Sequence, residues 1–326
     1  MPRATLATPR VLEMLGRPTP WEGLAELLAS SKAEVASASA ESLTLEATAD
    51  RIDLLCEAGI GLHAQGALGA ARGLPKVARL FGLDPAPAIR VDRSVGPIRP
   101  SIAAVVVRAP AGAPLTEGLI DEAVRFQELL HATVGFDRRS ASLGLYPYER
   151  LRPPLSYRSE PRDSVSITPL DGAAEVPAVR FLEEHPLAQR FGALGTRPGE
   201  VLTLRDAAGA LLSLPPILNA RPAGEIRPGG TTVLIESTGT RPARVADALG
   251  LLTLVFAARG WSIAPVRVEH PGRIDDGESL VEPRTLALSE ATLRRMSGRP
   301  YPASEVEHLL ATVRLSARAT PGGWSV

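Results

Sequence analysis

Ser101-Ile102-Ala103-Ala104-Val105-Val106-Val107-Arg108 is an apolar, β-branched run without polar alternation, the pattern of a strand buried on both faces. Its surroundings read as the central α/β part of the chain. Downstream, Pro110 to Pro114 is a turn, and Thr116 caps a helix whose Leu119, Ile120, Ala123, Val124, Leu130 and His131 share one side. A strand from Ala141 to Tyr146 follows. Short strands then alternate with turns: Val165–Ile167, Val201–Leu204, Leu211–Leu214 before Pro215-Pro216, and Thr231–Glu236. A helix containing Val245, Leu249, Leu252, Val255 and Phe256 ends at Arg259-Gly260, and a strand from Ser262 to Val268 runs to a boundary at His270-Pro271-Gly272.

Upstream, Asp84-Pro85-Ala86-Pro87 marks the other boundary, because two closely spaced prolines stop a helix and disfavour one before them. The segment before it reads as a small α+β unit, with helical spacing at Val11–Leu15 and Leu24–Leu28 and short strands at Glu34–Ala36 and Ser42–Glu46. Asp50–Asp53 reads as the cap of an apolar helix reaching about Ala71. After residue 269 come a strand at Arg284–Leu288, a helix from Ser289, a helix capped near Ser304 and a strand at Thr312–Ala317. Pro321-Gly322-Gly323 reads as a hairpin turn, and Trp324 to Val326 as a strand that opens and is not completed.

The 326 residues carry 36 basic and 36 acidic side chains, and 44% of them are hydrophobic. This suits a globular chain and removes the simplest electrostatic argument for nucleic acid, although a local basic surface remains open. There is no membrane-length apolar run and no secretory signal, so a cytoplasmic location is expected. Cys56 is the single cysteine, which excludes an internal disulfide, and the five histidines are too scattered for a metal motif. No metal or cofactor is expected. P-loop, dinucleotide, nucleophile-elbow and His-Glu-x-x-His patterns are absent.

What remains is a set of polar residues at strand ends. Ser213 and Asn219 flank the Leu214-Pro215-Pro216-Ile217 turn, and Glu236 closes the run Val233-Leu234-Ile235 ahead of Thr238. A carboxylate after an apolar strand is an acceptor that pockets place against a substrate hydroxyl. The alternative makes Asn219 a turn residue, Glu236 a solvent-facing strand end and Thr238 a helix cap.

Several phrases carry a resemblance. Leu130-His131-Ala132-Thr133-Val134-Gly135, Gly144-Leu145-Tyr146-Pro147-Tyr148-Glu149, Leu182-Glu183-Glu184-His185-Pro186, Leu212-Ser213-Leu214-Pro215-Pro216-Ile217-Leu218-Asn219 and Ile235-Glu236-Ser237-Thr238-Gly239-Thr240 stand in the order seen in the β subunit of phenylalanyl-tRNA synthetase. Asp50-Arg51-Ile52-Asp53-Leu54-Leu55 and Val95-Gly96-Pro97-Ile98-Arg99-Pro100 extend the likeness over essentially the whole chain. The sequence most resembles the archaeal and eukaryotic-cytosolic type.

The resemblance implies an α+β chain in three parts: an N-terminal module over 1–88, an editing-type domain (B3/B4-like) over 89–268, and a partial winged-helix-like module over 269–326. It implies hydrolytic editing of mischarged Tyr-tRNA(Phe). It implies no amino-acid activation, since those residues belong to the α subunit. The implied partners are tRNA(Phe) and an α subunit. By the same carry-over, Glu236 reads the tyrosine hydroxyl, Ser213 and Asn219 hold the aminoacyl group beside Pro215 and Pro216, and Thr238 supports it. His131 and Arg138 lie near the ester or terminal adenosine, with Arg138 and Arg139 contacting tRNA. Asn219 and backbone amides near the bend are candidate oxyanion donors, and His131 is a candidate proton acceptor. Departures are Glu236 where the family pattern has Asp, Phe136 at a usually basic position, and Arg221-Pro222-Ala223-Gly224 after the asparagine. Three readings follow: a deacylase, a subunit or remnant working with an α subunit, and a binding module for aminoacyl-tRNA or another amino-acid derivative.

Overall fold

The computed structural model describes every residue except Ser30, Pro222 and Val281. The chain is a mixed α+β protein that divides into two units, 77–281 and a second formed by 1–76 with 282–326.

In the larger unit the principal strands are β1 (Ala88–Val91), β2 (Ser101–Arg108), β3 (Ala141–Pro147), β4 (Leu155–Pro161), β5 (Glu200–Arg205), β6 (Leu211–Leu214), β7 (Leu218–Asn219), β8 (Thr232–Gly239), β9 (Ser262–Pro265), β10 (Arg267–His270) and β11 (Arg273–Asp275). Two long helices are α1 (Glu117–Ala132) and α2 (Pro242–Ala257). Strands β9-β2-β8-β3 form a four-stranded sheet, antiparallel throughout. The order β7-β6-β5-β4-β1-β10-β11 forms the larger sheet, with Thr196–Arg197 pairing on β5.

The Ser101–Arg108 run behaves as its composition dictates. Strand β2 lies between β8 and β9. Its Ile102, Ala104 and Val106 join Tyr146, Tyr157, Leu202 and Leu234 in the apolar core shared by the two sheets. Val105 and Val107, on its opposite face, are equally buried. Thr116 caps α1, its Oγ1 accepting from Leu119 N–H at 3.1 Å. Val124 is 42% exposed, because it faces a cavity rather than the core.

Three elements differ from expectation. The expected strand over 262–268 is two strands, β9 and β10, which belong to different sheets, so the chain crosses between layers at Val266. Residues 178–191 hold two short helices, Ala178–Glu184 and Pro186–Phe191, where turns and strands are expected. His185 caps the second, its Nδ1 accepting from Leu187 N–H at 3.2 Å, with Pro186 supplying the fixed φ of a first helical residue. Phe181 and Phe191 from these helices anchor a separate apolar cluster with Ile217 and Leu214.

In the smaller unit, Arg3–Ala7, Ser42–Ala47 and Ala33–Ala38 form an antiparallel sheet. The helix Glu57–Ala67 is capped by Cys56, whose Sγ accepts from Gly59 N–H, and not by Asp50. Gly59 is required there: a Cβ would stand 1.8 Å from Asp53 O. Residues 282–326 group with this unit and do not form a separate third body as the sequence suggests. Gly66 abuts Thr312 O, and Arg314 donates to Gln65 Oε1 at 2.7 Å and to Gly73 O at 2.6 Å. The terminal strand is not left open either. Gly323–Ser325 is the middle strand of a three-stranded sheet, with Trp324 buried.

Candidate functional site

The hairpin β6–β7 turns through Pro215-Pro216, whose peptide bond is cis. Ile217 N–H donates to Leu214 O at 2.7 Å, and Ser213 faces Asn219 across the pair. Both therefore open onto one cavity of about 390 Å³, within the range typical of small-molecule sites. Its walls are largely apolar, including Ile120, Leu143, Leu145, Leu187, Leu214 and Ile226. Ser142, Tyr146 and Glu236 line it as well.

Glu236 sits in the middle of β8, between Ala104 of β2 and Gly144 of β3, and not at a strand end. It is 3% exposed, which removes the reading of a solvent-facing carboxylate. Tyr146 Oη lies 3.0 Å from Glu236 Oε1 and 2.9 Å from Ser213 Oγ. A phenol carries one proton, so with Glu236 ionised the phenol donates to the carboxylate and accepts from the Ser213 hydroxyl. Glu236 Oε2 has no hydrogen-bond partner. Burial raises the Glu236 carboxyl to about 7, against the opposing pull of the Tyr146 hydrogen bond and the Arg99 charge. Gly144 makes the pairing sterically possible, since a Cβ there would lie 2.4 Å from Tyr146 Oη and 2.7 Å from Glu236 Oε1.

Thr238, expected beside the aminoacyl group, is fully buried on β8 and does not line the cavity. Its Oγ1 accepts from Arg99 Nε at 3.0 Å, and its carbonyl accepts from Arg99 Nη2 at 2.7 Å. Arg99 also reaches Ser142 Oγ at 3.0 Å. Burial lowers this guanidinium to about 10.

The rim is arranged differently. Arg138, expected to meet tRNA, is 8% exposed. It donates to Pro216 O at 3.0 Å, to Ile217 O at 2.9 Å and to Glu128 Oε1 at 2.9 Å, with its guanidinium over the Phe191 ring. It thus ties the double-proline bend to α1. His131 is also committed: Nε2 accepts from Leu143 N–H at 2.9 Å, and Nδ1 lies 3.2 Å from Glu128 Oε1. Burial holds this ring below the usual imidazole range, so it is neutral at pH 7, with the Nδ1 proton directed at Glu128. No nitrogen is left to take a proton from water. Burial alone would raise the Glu128 carboxyl, but His131 and Arg138 together bring it to about 2.

Asn219 Nδ2 donates to Leu145 O and Gly224 O, both at 3.1 Å. Two facing carbonyls fix the amide orientation, so the cavity receives an acceptor, Oδ1, and not the expected oxyanion donor. The bend offers no donor either. Pro215 and Pro216 lack N–H groups, and the Ile217 N–H is taken. Arg139 is exposed outside the cavity lining.

Phe136, Asp137 and Arg138 have φ of 50°, 55° and 63°, a left-handed turn that costs about 1–2 kcal/mol per non-glycine residue. Arg138 N–H to His131 O at 3.1 Å and Ser140 N–H to Gly135 O at 2.8 Å close the turn. Among the described residues no three His, Cys, Asp or Glu side chains are grouped to hold a metal ion, and no helix is long and apolar enough to cross a membrane.

The class follows from this fold, a two-unit α+β chain with a buried-carboxylate cavity. The crystal structure of an N-terminal fragment of the phenylalanyl-tRNA synthetase beta subunit from Pyrococcus horikoshii superposes with a TM-score of 0.90 at 23% identity, covering 99% of this chain and 92% of that one. The chain is a homologue of archaeal phenylalanine–tRNA ligase beta subunits. It is 30% identical over 301 residues to the one from Thermofilum pendens, covering 91% of this chain and 51% of the relative. It is 29% identical over 319 residues to the one from Korarchaeum cryptofilum, covering 96% and 55%. The chain spans about half the length of these curated relatives. No protein-family model matches it.

Proposed function

We propose that the cavity binds the aminoacyl group of a mischarged tRNA and that the chain promotes hydrolysis of the tyrosyl ester. The observation that carries this reading is Glu236 Oε2, an unpaired and buried acceptor on a cavity with apolar walls. A tyrosyl ring satisfies Oε2 with its hydroxyl. A phenylalanyl ring leaves it desolvated and unpaired, a difference of about 1–3 kcal/mol, more for a charged acceptor. Asn219 Oδ1 is an acceptor suited to the α-amino group. Arg139 is the exposed cation suited to phosphate. The role belongs in the cytoplasm, where tRNA is charged, and an α subunit is the partner that the relatives' name suggests.

The test is deacylation of Tyr-tRNA(Phe) and Phe-tRNA(Phe) by the whole chain. Tyrosyl hydrolysis should exceed phenylalanyl hydrolysis by about tenfold or more, and Glu236→Ala should erase the difference. Rates equal to buffer for both esters would reject the reading.

The rim favours a second reading. With both His131 nitrogens and the Asn219 amide committed, neither residue is free to act as base or oxyanion donor. The chain would then hold an aminoacyl group without turnover. Saturable binding of Tyr-tRNA(Phe) with an unchanged ester half-life would select it.

A further inference from the structure

We infer that Tyr146 is the specificity-determining partner of Glu236: its phenol occupies one carboxylate oxygen and leaves the other without a protein partner, suited to a side chain bearing one hydroxyl donor. The inference rests on the deacylation reading and adds to it a residue on a neighbouring strand.

Tyr146 is completely buried within the core between the two sheets, so its ring is a fixture and not a gate. Its Oη stands 3.0 Å from Glu236 Oε1 and 2.9 Å from Ser213 Oγ, and these two residues line the cavity beside it. The resident phenol already holds Oε1, the one carboxylate oxygen with a partner. The oxygen left without a protein partner is Oε2. Gly144 is the third part of the device, because any side chain there would enter the space in which phenol and carboxylate meet.

The phenol also sets the state in which Glu236 works. A carboxylate accepts more strongly ionised than protonated, and burial opposes ionisation, leaving the carboxyl near 7. The titratable and charged groups acting on it are Tyr146 from β3, Tyr157 from β4 and Arg99 from the segment before β2; His131, Arg138 and Glu128 line the same cavity. Of these, the Tyr146 hydrogen bond and the Arg99 charge favour the ionised form. Removing the phenol proton therefore leaves Glu236 protonated over more of the neutral range, and a protonated carboxyl is a weaker acceptor and discriminates less.

Tyr146→Phe removes one oxygen and keeps the ring. Gly144→Ala keeps the phenol and displaces it. Deacylation of Tyr-tRNA(Phe) and Phe-tRNA(Phe) is followed from pH 5.5 to 8.5 for both variants and the unchanged chain, with buffer hydrolysis subtracted and folding checked by circular dichroism. Glu236 is titrated in parallel by carboxyl carbon-13 resonances. The expected result is an acid limb of tyrosyl hydrolysis that moves up by about one pH unit in Tyr146→Phe, with a matching upward move of the Glu236 resonance. At pH 7 the tyrosyl-to-phenylalanyl ratio falls about tenfold. Gly144→Ala moves both readouts the same way. A folded Tyr146→Phe chain that keeps the limb, the resonance and the ratio overturns the inference and leaves the deacylation reading standing. An unchanged chain that hydrolyses neither ester overturns the deacylation reading and, with it, the specificity role, whatever the resonance does.

Discussion

The floor and the rim of the cavity hold the same kinds of polar group and use them in opposite ways. At the rim, Arg138, His131 and Glu128 are bonded to one another or to backbone and hold the double-proline bend against α1. At the floor, Glu236 has one oxygen paired and the other without a partner, although it is as deeply buried as His131 and Arg138. The rim spends its polarity on architecture. The floor withholds some, and only withheld polarity is available to a ligand. A charged residue beside a cavity is therefore weak support for a binding role until its own partners have been counted.

The comparison breaks most visibly at Arg138. Arg138→Ala leaves two buried carbonyls without their donor, and the expected loss is about 3–4 kcal/mol, read as a lower urea midpoint with unchanged slope. A loss under 1 kcal/mol would make Arg138 a free surface cation after all.

Glu236→Gln should act in the opposite direction. In the unfolded chain this carboxyl ionises near 4.5, but in the fold only near 7. As pH rises through that window the folded state holds a proton that the unfolded chain has released, so stability falls and then levels off above about 7. Glu236→Gln removes that cost. Its melting temperature should exceed that of the unchanged chain at pH 8, by roughly 2–3 kcal/mol in stability, with little difference at pH 4.5. The tyrosyl preference should be lost in the same protein. A melting difference independent of pH would show that the carboxyl is not held near neutral.

His131→Gln sharpens the distinction between architecture and chemistry. A glutamine carbonyl can still accept from Leu143 N–H, so the expected cost is about 1 kcal/mol and the pH profile of hydrolysis should keep its shape. Loss of a limb would return the histidine to the role of a base. Arg139→Ala is the mildest. Stability should change by less than about 0.5 kcal/mol, while tRNA affinity falls and the salt dependence of binding flattens by about one ion.

Much of this was legible in the sequence. The unbroken β-branching of Ser101–Arg108 identified the inner strand, Thr116 identified the start of α1, and the Pro215-Pro216 bend marked the cavity wall. The phrase likeness brought Ser213, Asn219 and Glu236 to attention, and these three line one cavity. What could not be read was pairing. Tyr146 and Gly144 carry no visible role in the sequence, because only the register of β3 on β8 sets them beside Glu236. Thr238 and Arg138 looked like ligand contacts, because a sequence shows a side chain's chemistry but not which partner already occupies it. The short helices over 178–191 were missed for a related reason: six or seven residues carry too little periodicity to outweigh their prolines.

The pairing of Ser213 with Asn219 has a mechanical corollary. Two polar groups mounted on the same hairpin keep a gap that strand register sets, and Arg138 pins the bend between them. Ligands with longer or shorter side chains would then meet an unchanged pair of anchors, and the adjustment would fall on the distance to the acid below.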